Sequence, residues 1–125
     1  MVIGVGTDLM EIARIAQSID RFGERFLERV FTAREIAYCR RKKNAAESFA
    51  ARFAAKEAAA KALGTGISRG IGWLELEVAR EPGGRPTLEL TGRAAERARE
   101  LGVARVSLSL THSRDTALAV VMMES

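Results

Sequence analysis

Four charged side chains fall within one ten-residue stretch, RFAAKEAAAK: Arg52, Lys56, Glu57 and Lys61. Arg52 and Lys56 are four apart, as are Glu57 and Lys61, so on a helix each pair shares a stripe, and the two stripes are expected to be neighbours. From Arg52 to Lys61 the helix would rise about 13 Å, at 1.5 Å per residue. That length suits a ligand carrying two separated phosphate groups, and the intervening alanines would let it come close to the backbone. A plainer role stays open. Glu57 followed by Lys61 is the favourable i,i+4 order, worth about 0.2–0.5 kcal/mol as a solvated pair, and the other cations could be ordinary helix surface.

Asp8 follows a short apolar segment and also has two readings. Placed where a strand gives way to a helix, it would act as an N-cap. Its carboxylate is equally a hard oxygen ligand for Mg²⁺, which takes one or two protein carboxylates and completes its shell with water and substrate phosphate. Asp8 and Glu57, brought together from separate elements, would meet that need.

The elements that must position these residues can be read from spacing. Residues 2–7 read as a strand, and Leu9, Ile12, Ile15, Ala16 and Ile19 then recur at helical spacing. Gly23 interrupts the pattern before GERFLERVF, a second helical stretch. Thr32 with Glu35 is a capping box opening a third helix, TAREIAYCRR. From Ala45 to Leu63 there is no glycine or proline, and ten of the eighteen residues 45–62 are alanine. This predicts the central helix, stopped at Gly64. WLELEVA and TLEL flank the turn EPGGRP as strands, TGRAAERARELG is amphipathic and helical, and VARVSLSLTH and TALAVVMM close the chain as strands. The expected fold class is α+β, a largely antiparallel sheet packed with one long helix and shorter ones.

Composition narrows the function without choosing it. The chain has 125 residues, which fits one domain over 1–125, and no repeat or linker divides it. Sixteen of its 20 basic residues are arginine and the formal charge is +4, so an anionic partner is expected. Cys39 is the single cysteine, allows no internal disulfide and is expected to pack a helix. The opening MVIGVGTDL lacks a basic leader and no apolar run approaches the ~20 residues of a membrane span. A cytoplasmic location with no membrane association is expected.

GVGTDLMEIARI, RFAAKEAAAKALGTG, GRPTLEL and SLSLTHSRDTALAVV, in that order, resemble the bacterial holo-acyl-carrier-protein synthases over nearly the whole chain. The resemblance implies transfer of the 4′-phosphopantetheine arm of coenzyme A to a serine of an apo-acyl carrier protein, releasing 3′,5′-ADP. It implies that Asp8 and Glu57 hold Mg²⁺ against the diphosphate, with Arg52, Lys56 and Lys61 as phosphate-facing cations. Gly64 and Gly66 would let backbone approach the coenzyme, Pro86 would lie near its nucleotide end, and His112 would contact a phosphate. Glu57, or a water beside it, would take the serine proton, and Lys61 would support the departing charge. Arg14, Arg21 and Arg25 are spaced for one helical face, if a single helix continues past Gly23. On the resemblance that face would dock the acidic carrier protein. A homotrimer sharing its active sites between neighbours is a further implication.

Two other classes fit parts of the pattern. A small nucleic-acid-binding domain would explain the arginines but not Asp8 with Glu57, and the aromatic residues, at 6%, are not interleaved with basic ones as stacking platforms are. A coenzyme-A-binding module without catalysis would survive loss of both carboxylates.

Overall fold

The computed structural model describes all 125 residues. Strand β1 (Val2–Glu11) leads into four helices, α1 (Ile12–Phe22), α2 (Glu24–Val30), α3 (Ala33–Arg40) and α4 (Ala45–Ala62). A 3₁₀ turn at Trp73–Glu75 precedes the hairpin of β2 (Leu76–Arg80) and β3 (Pro86–Leu90). Helix α5 (Gly92–Leu101) and strands β4 (Arg105–His112) and β5 (Thr116–Glu124) complete the chain. The fold is α+β with antiparallel pairing throughout, as expected, but the strands form two sheets: three in the order β1-β5-β4, and the β2–β3 pair. No helix is long and apolar enough to cross a membrane.

One boundary moves. Asp8 lies inside β1, not at its end, because pairing with β5 continues through Asp8↔Ala119 and Leu9↔Leu118 to Glu11↔Thr116. The N-cap role for Asp8 is therefore excluded. Helix α1 starts at Ile12, whose N–H donates to the Asp115 carbonyl at 2.9 Å. Leu9, expected on the helix, instead points outward from the sheet and is 63% exposed.

The capping box forms as expected: Thr32 accepts from the Glu35 N–H while Glu35 accepts from the Thr32 N–H. Cys39 is fully buried among Phe31, Phe49 and their neighbours, and burial pushes its thiol up. Ala54, Ala55, Ala58 and Ala59 of α4 anchor the larger core, against Leu76 and Val78 of the hairpin and Ala119, Val121 and Met123 of β5. Small side chains on every side of α4 let strands and hairpin approach it closely.

Candidate active site

The strand that carries Asp8 lies almost in backbone contact with α4. A Cβ on Gly4 would sit 2.2 Å from the Ala62 carbonyl oxygen, and one on Gly6 would sit 1.8 Å from that of Ala58. Only hydrogen fits at either place. Successive even positions of a strand share a face, so Gly4, Gly6 and Asp8 all look toward α4. Asp8 thus arrives beside the helix turn that carries Glu57 and Lys61. The Lys61 ammonium donates to Asp8 Oδ1 and to the Thr7 carbonyl, each at 3.1 Å.

The other carboxylate oxygen of Asp8 is buried and has no partner. Burial pushes the Glu57 carboxyl above the ordinary carboxylate range, the negative charge of Asp8 pushes the same way, and Lys61 pulls it partly back. Two carboxylates and an ammonium therefore share one electrostatic neighbourhood, assembled from residues distant in the chain.

Arg52 is not part of it. At 3.6 residues per turn, positions 52 and 57 lie about 140° apart around a helix, so the two stripes are on opposite sides rather than adjacent. Arg52 turns toward α3 and β4. It is 2% exposed, its guanidinium lies 4.1 Å from the centre of the Tyr38 ring, and it donates to Ser48 at 3.2 Å. Its Nε is buried without a partner. His112 borders the same cleft of about 530 Å³ and sits 3.4 Å from the Glu47 carboxylate. The expected line of cations along 13 Å of helix is therefore divided between two faces.

Lys56 departs from expectation altogether. It is fully buried, with its ammonium 2.8 Å from Glu35 and hydrogen-bonded to the Trp73 and Leu76 carbonyls. The ammonium faces the protein interior and no phosphate can reach it in this arrangement. The sequence offered no sign of this, because its counter-ion lies 21 residues earlier on α3.

The loop after α4 turns on glycine. Gly64 and Gly66 have φ of 81° and 67°, in the left-handed region that glycine favours, and the Gly66 N–H donates to the Ala60 carbonyl at 3.1 Å. Pro86 opens β3 and lines a separate hollow with Arg85 and Arg105, away from the Asp8 group. Arg14, Arg21 and Arg25 are all exposed, but Gly23 (φ 58°, ψ −136°) ends α1, so Arg25 belongs to α2 and the three do not share one continuous helix.

Sequence reasoning missed Tyr38. Besides Arg52, the cations of Lys42, Arg80 and Arg41 lie 4.7, 5.7 and 5.9 Å from its ring centre. Burial alone would raise its phenol, but Lys42, Arg80 and Arg52 outweigh that and bring it below the ordinary value. None of these four cations has a carboxylate within ion-pair distance. The available signal was the basic run Arg40–Lys43.

Known proteins share this sequence and fold. A family model described as the 4′-phosphopantetheinyl transferase superfamily matches residues 4–121. A holo-[acyl-carrier-protein] synthase of Koribacter versatilis is 56% identical over 124 residues, 99% of each chain. The crystal structure of that synthase from Neisseria meningitidis superposes with a TM-score of 0.90 at 36% identity, each chain covered completely. The Helicobacter pylori synthase, solved in complex with coenzyme A, gives 0.85 at 33% identity, with 96% of this chain and 99% of that one covered. By sequence over nearly its whole length, and by its fold, the chain belongs to the 4′-phosphopantetheinyl transferase superfamily.

Proposed function

We propose that this chain is a holo-[acyl-carrier-protein] synthase that moves the 4′-phosphopantetheine arm of coenzyme A to a serine of an apo-acyl carrier protein, in the cytoplasm. The observation that carries the reading is the buried, unpartnered Oδ2 of Asp8 beside Glu57. An anionic oxygen left so is costly unless a ligand completes it. No third acid or histidine joins the two carboxylates, so the donor set fits Mg²⁺, which leaves places for water and diphosphate. When bound, Mg²⁺ would shield the diphosphate and stabilise the departing 3′,5′-ADP.

The chain's own groups supply the rest. The raised Glu57 carboxyl is the better proton acceptor for it, and it takes the serine proton directly or through a water. Lys61, half-exposed and braced by Asp8 and the Thr7 carbonyl, turns its charge toward the leaving phosphate. The glycine loop lets the coenzyme come close to the backbone with no side chain in the way, while the N–H groups of Gly64, Thr65 and Gly66 stay bonded to carbonyls of α4.

Arg52 and His112 are the coenzyme-phosphate contacts of a second half-site. Because they stand across α4 from Glu57, a coenzyme touching both sets must lie between two copies of the chain. The outer face of the three-stranded sheet supports such an assembly: Val5, Leu9 and Met122 are 53%, 63% and 37% exposed, with Leu118 and Val120 between them. We assign a homotrimer to it, with Pro86 near the nucleotide end. Arg14 and Arg21 on α1, with Arg25 following on α2 beyond the break at Gly23, are the basic surface assigned to the carrier protein.

The test is direct. The chain is incubated with coenzyme A, Mg²⁺ and an apo-carrier protein, and the carrier is weighed. A gain of one phosphopantetheine arm that EDTA abolishes is expected. An unchanged carrier mass with coenzyme A still bound would leave a binding module in place of an enzyme.

A further inference from the structure

On the side of α4 turned away from Asp8 lies a buried ion pair that the transfer reaction does not use. The Lys56 ammonium has three donors, and all are taken: Glu35 Oε1 at 2.8 Å, the Trp73 carbonyl at 3.0 Å and the Leu76 carbonyl at 2.8 Å. Glu35 is equally occupied. Its Oε1 also accepts the Thr32 N–H at 2.8 Å, and its Oε2 accepts the Val78 N–H at 2.7 Å. One pair thus ties together the start of α3, the middle of α4 and the segment running from the 3₁₀ turn into β2.

Stability is a poor reason for such a pair, since well-packed apolar residues of similar volume often serve as well or better. The composition of α4 suggests another. Between Ala54 and Ala62 every residue is alanine except Lys56, Glu57 and Lys61. The contact with β1 is equally smooth, glycine hydrogens against the Ala58 and Ala62 carbonyls. Interlocking side chains normally set how one element is rotated against another, and this half of the helix has none. Directional hydrogen bonds from Lys56 resist both rotation about the axis and sliding along it. They also fasten Trp73, where the glycine loop that leaves α4 at Gly64 returns, to the residue immediately before Glu57.

We propose that Lys56, clamped by Glu35, is a positioning residue that sets the rotation of α4 and hence the placement of Glu57 against Asp8. The inference rests on the functional reading above. Displacing a reacting group by about 1 Å can cost on the order of 100-fold in rate.

Lys56→Met keeps the length of the stem and removes the ammonium, leaving Glu35 free to take up a proton. The parent, Lys56→Met and Glu35→Gln are compared by thermal melting, by Mn²⁺ titration in the presence of coenzyme A, and by transfer kinetics. Folded Lys56→Met is expected to bind Mn²⁺ about tenfold more weakly, the low end of the cost of losing an orienting group, since Lys56 acts through the helix and not on the ligands themselves. Its kcat should fall by about 100-fold, while KM for carrier protein, set by the α1 surface, stays within about twofold. Glu35→Gln should shift the same quantities in the same direction. A folded Lys56→Met with parental Mn²⁺ affinity and kcat overturns the proposal. So does a carrier-protein KM that deteriorates as much as kcat, or the unfolding of both variants, since each marks a merely structural pair. A parent that transfers no arm would overturn the functional reading, and the Mn²⁺ titrations would still decide the role of Lys56.

Discussion

Lys61 holds one oxygen of Asp8 at 3.1 Å and leaves the other buried and unsatisfied. The ammonium fixes the direction of the carboxylate without consuming it. Asp8→Asn keeps the shape and the hydrogen bond to Lys61 but removes the charge. Transfer activity is expected to fall by about 10²–10³-fold, the several kcal/mol of a lost metal contact. Melting should change little, because the weakened attraction to Lys61 is offset by taking charge off the buried oxygen that has no partner. Mass spectrometry of the carrier protein beside a thermal melt checks both halves, and an active Asp8→Asn would remove the metal assignment.

Glu57 gives a pH dependence whose sign follows from its surroundings. Burial and the charge of Asp8 raise its carboxyl above the unfolded value. Between the unfolded and the raised folded value, the folded chain therefore holds more protons, and metal-free stability falls as pH rises through that window. Chemical denaturation across the weakly acidic range should show this slope in the parent and lose it in Glu57→Gln. Transfer activity should run the other way, rising as Glu57 ionises. A Glu57→Gln variant that keeps the parental slope would assign the titration to another group.

Residue type alone left Asp8, Glu57 and Lys61 with plain uses, an N-cap and a solvated i,i+4 pair, and only the resemblance of their flanking motifs to a family singled them out. Their grouping was not legible in detail, because alanine on every side of α4 erases the apolar stripe that would have told inward from outward. Lys56 was misplaced for that reason, and Arg52 was set on a stripe beside Glu57 when it stands across the helix. The end of β1 was misread because Leu9, Ile12 and Ile15 happen to fit a helix. Pairing with β5, more than 100 residues away, decides otherwise. The capping box and the hairpin turn, whose signals are local, formed as read.

Gly6 should be among the least replaceable positions. A Cβ there would meet a backbone oxygen that cannot swing aside, so Gly6→Ala must lift β1 from α4. Overpacking of this kind costs about 1–3 kcal/mol or more, which in a chain this size lowers Tm by roughly 10 °C. Asp8 moves with the strand, so activity should fall further than the stability loss explains at a temperature where the variant stays folded. Gly6→Ala with parental activity and Tm would refute the close approach.

Arg14 is exposed on α1 and touches neither carboxylate group. Arg14→Glu should raise KM for carrier protein several-fold, mostly through slower association, and leave KM for coenzyme A unchanged. Added salt should narrow the gap between variant and parent, since a screened charge steers less. Steady-state kinetics at two ionic strengths checks this. Equal effects on both substrates would place the docking face elsewhere.

Val120 sits at the centre of the outward sheet face, paired with Thr7 on one side and Ser109 on the other. A glutamate there points into water in a lone chain and costs little. In a homotrimer it buries three like charges around one axis, and a buried unpaired carboxylate is strongly disfavoured. Val120→Glu should therefore stay folded yet run as a single chain in light scattering, where the parent gives three. If the proposed shared site holds, it should also lose activity although Asp8, Glu57 and Lys61 are untouched, since a neighbour's Arg52 and His112 would no longer meet them. A monomeric Val120→Glu with full activity would mean that one chain holds the whole site, and the division of cations around α4 would need a different explanation.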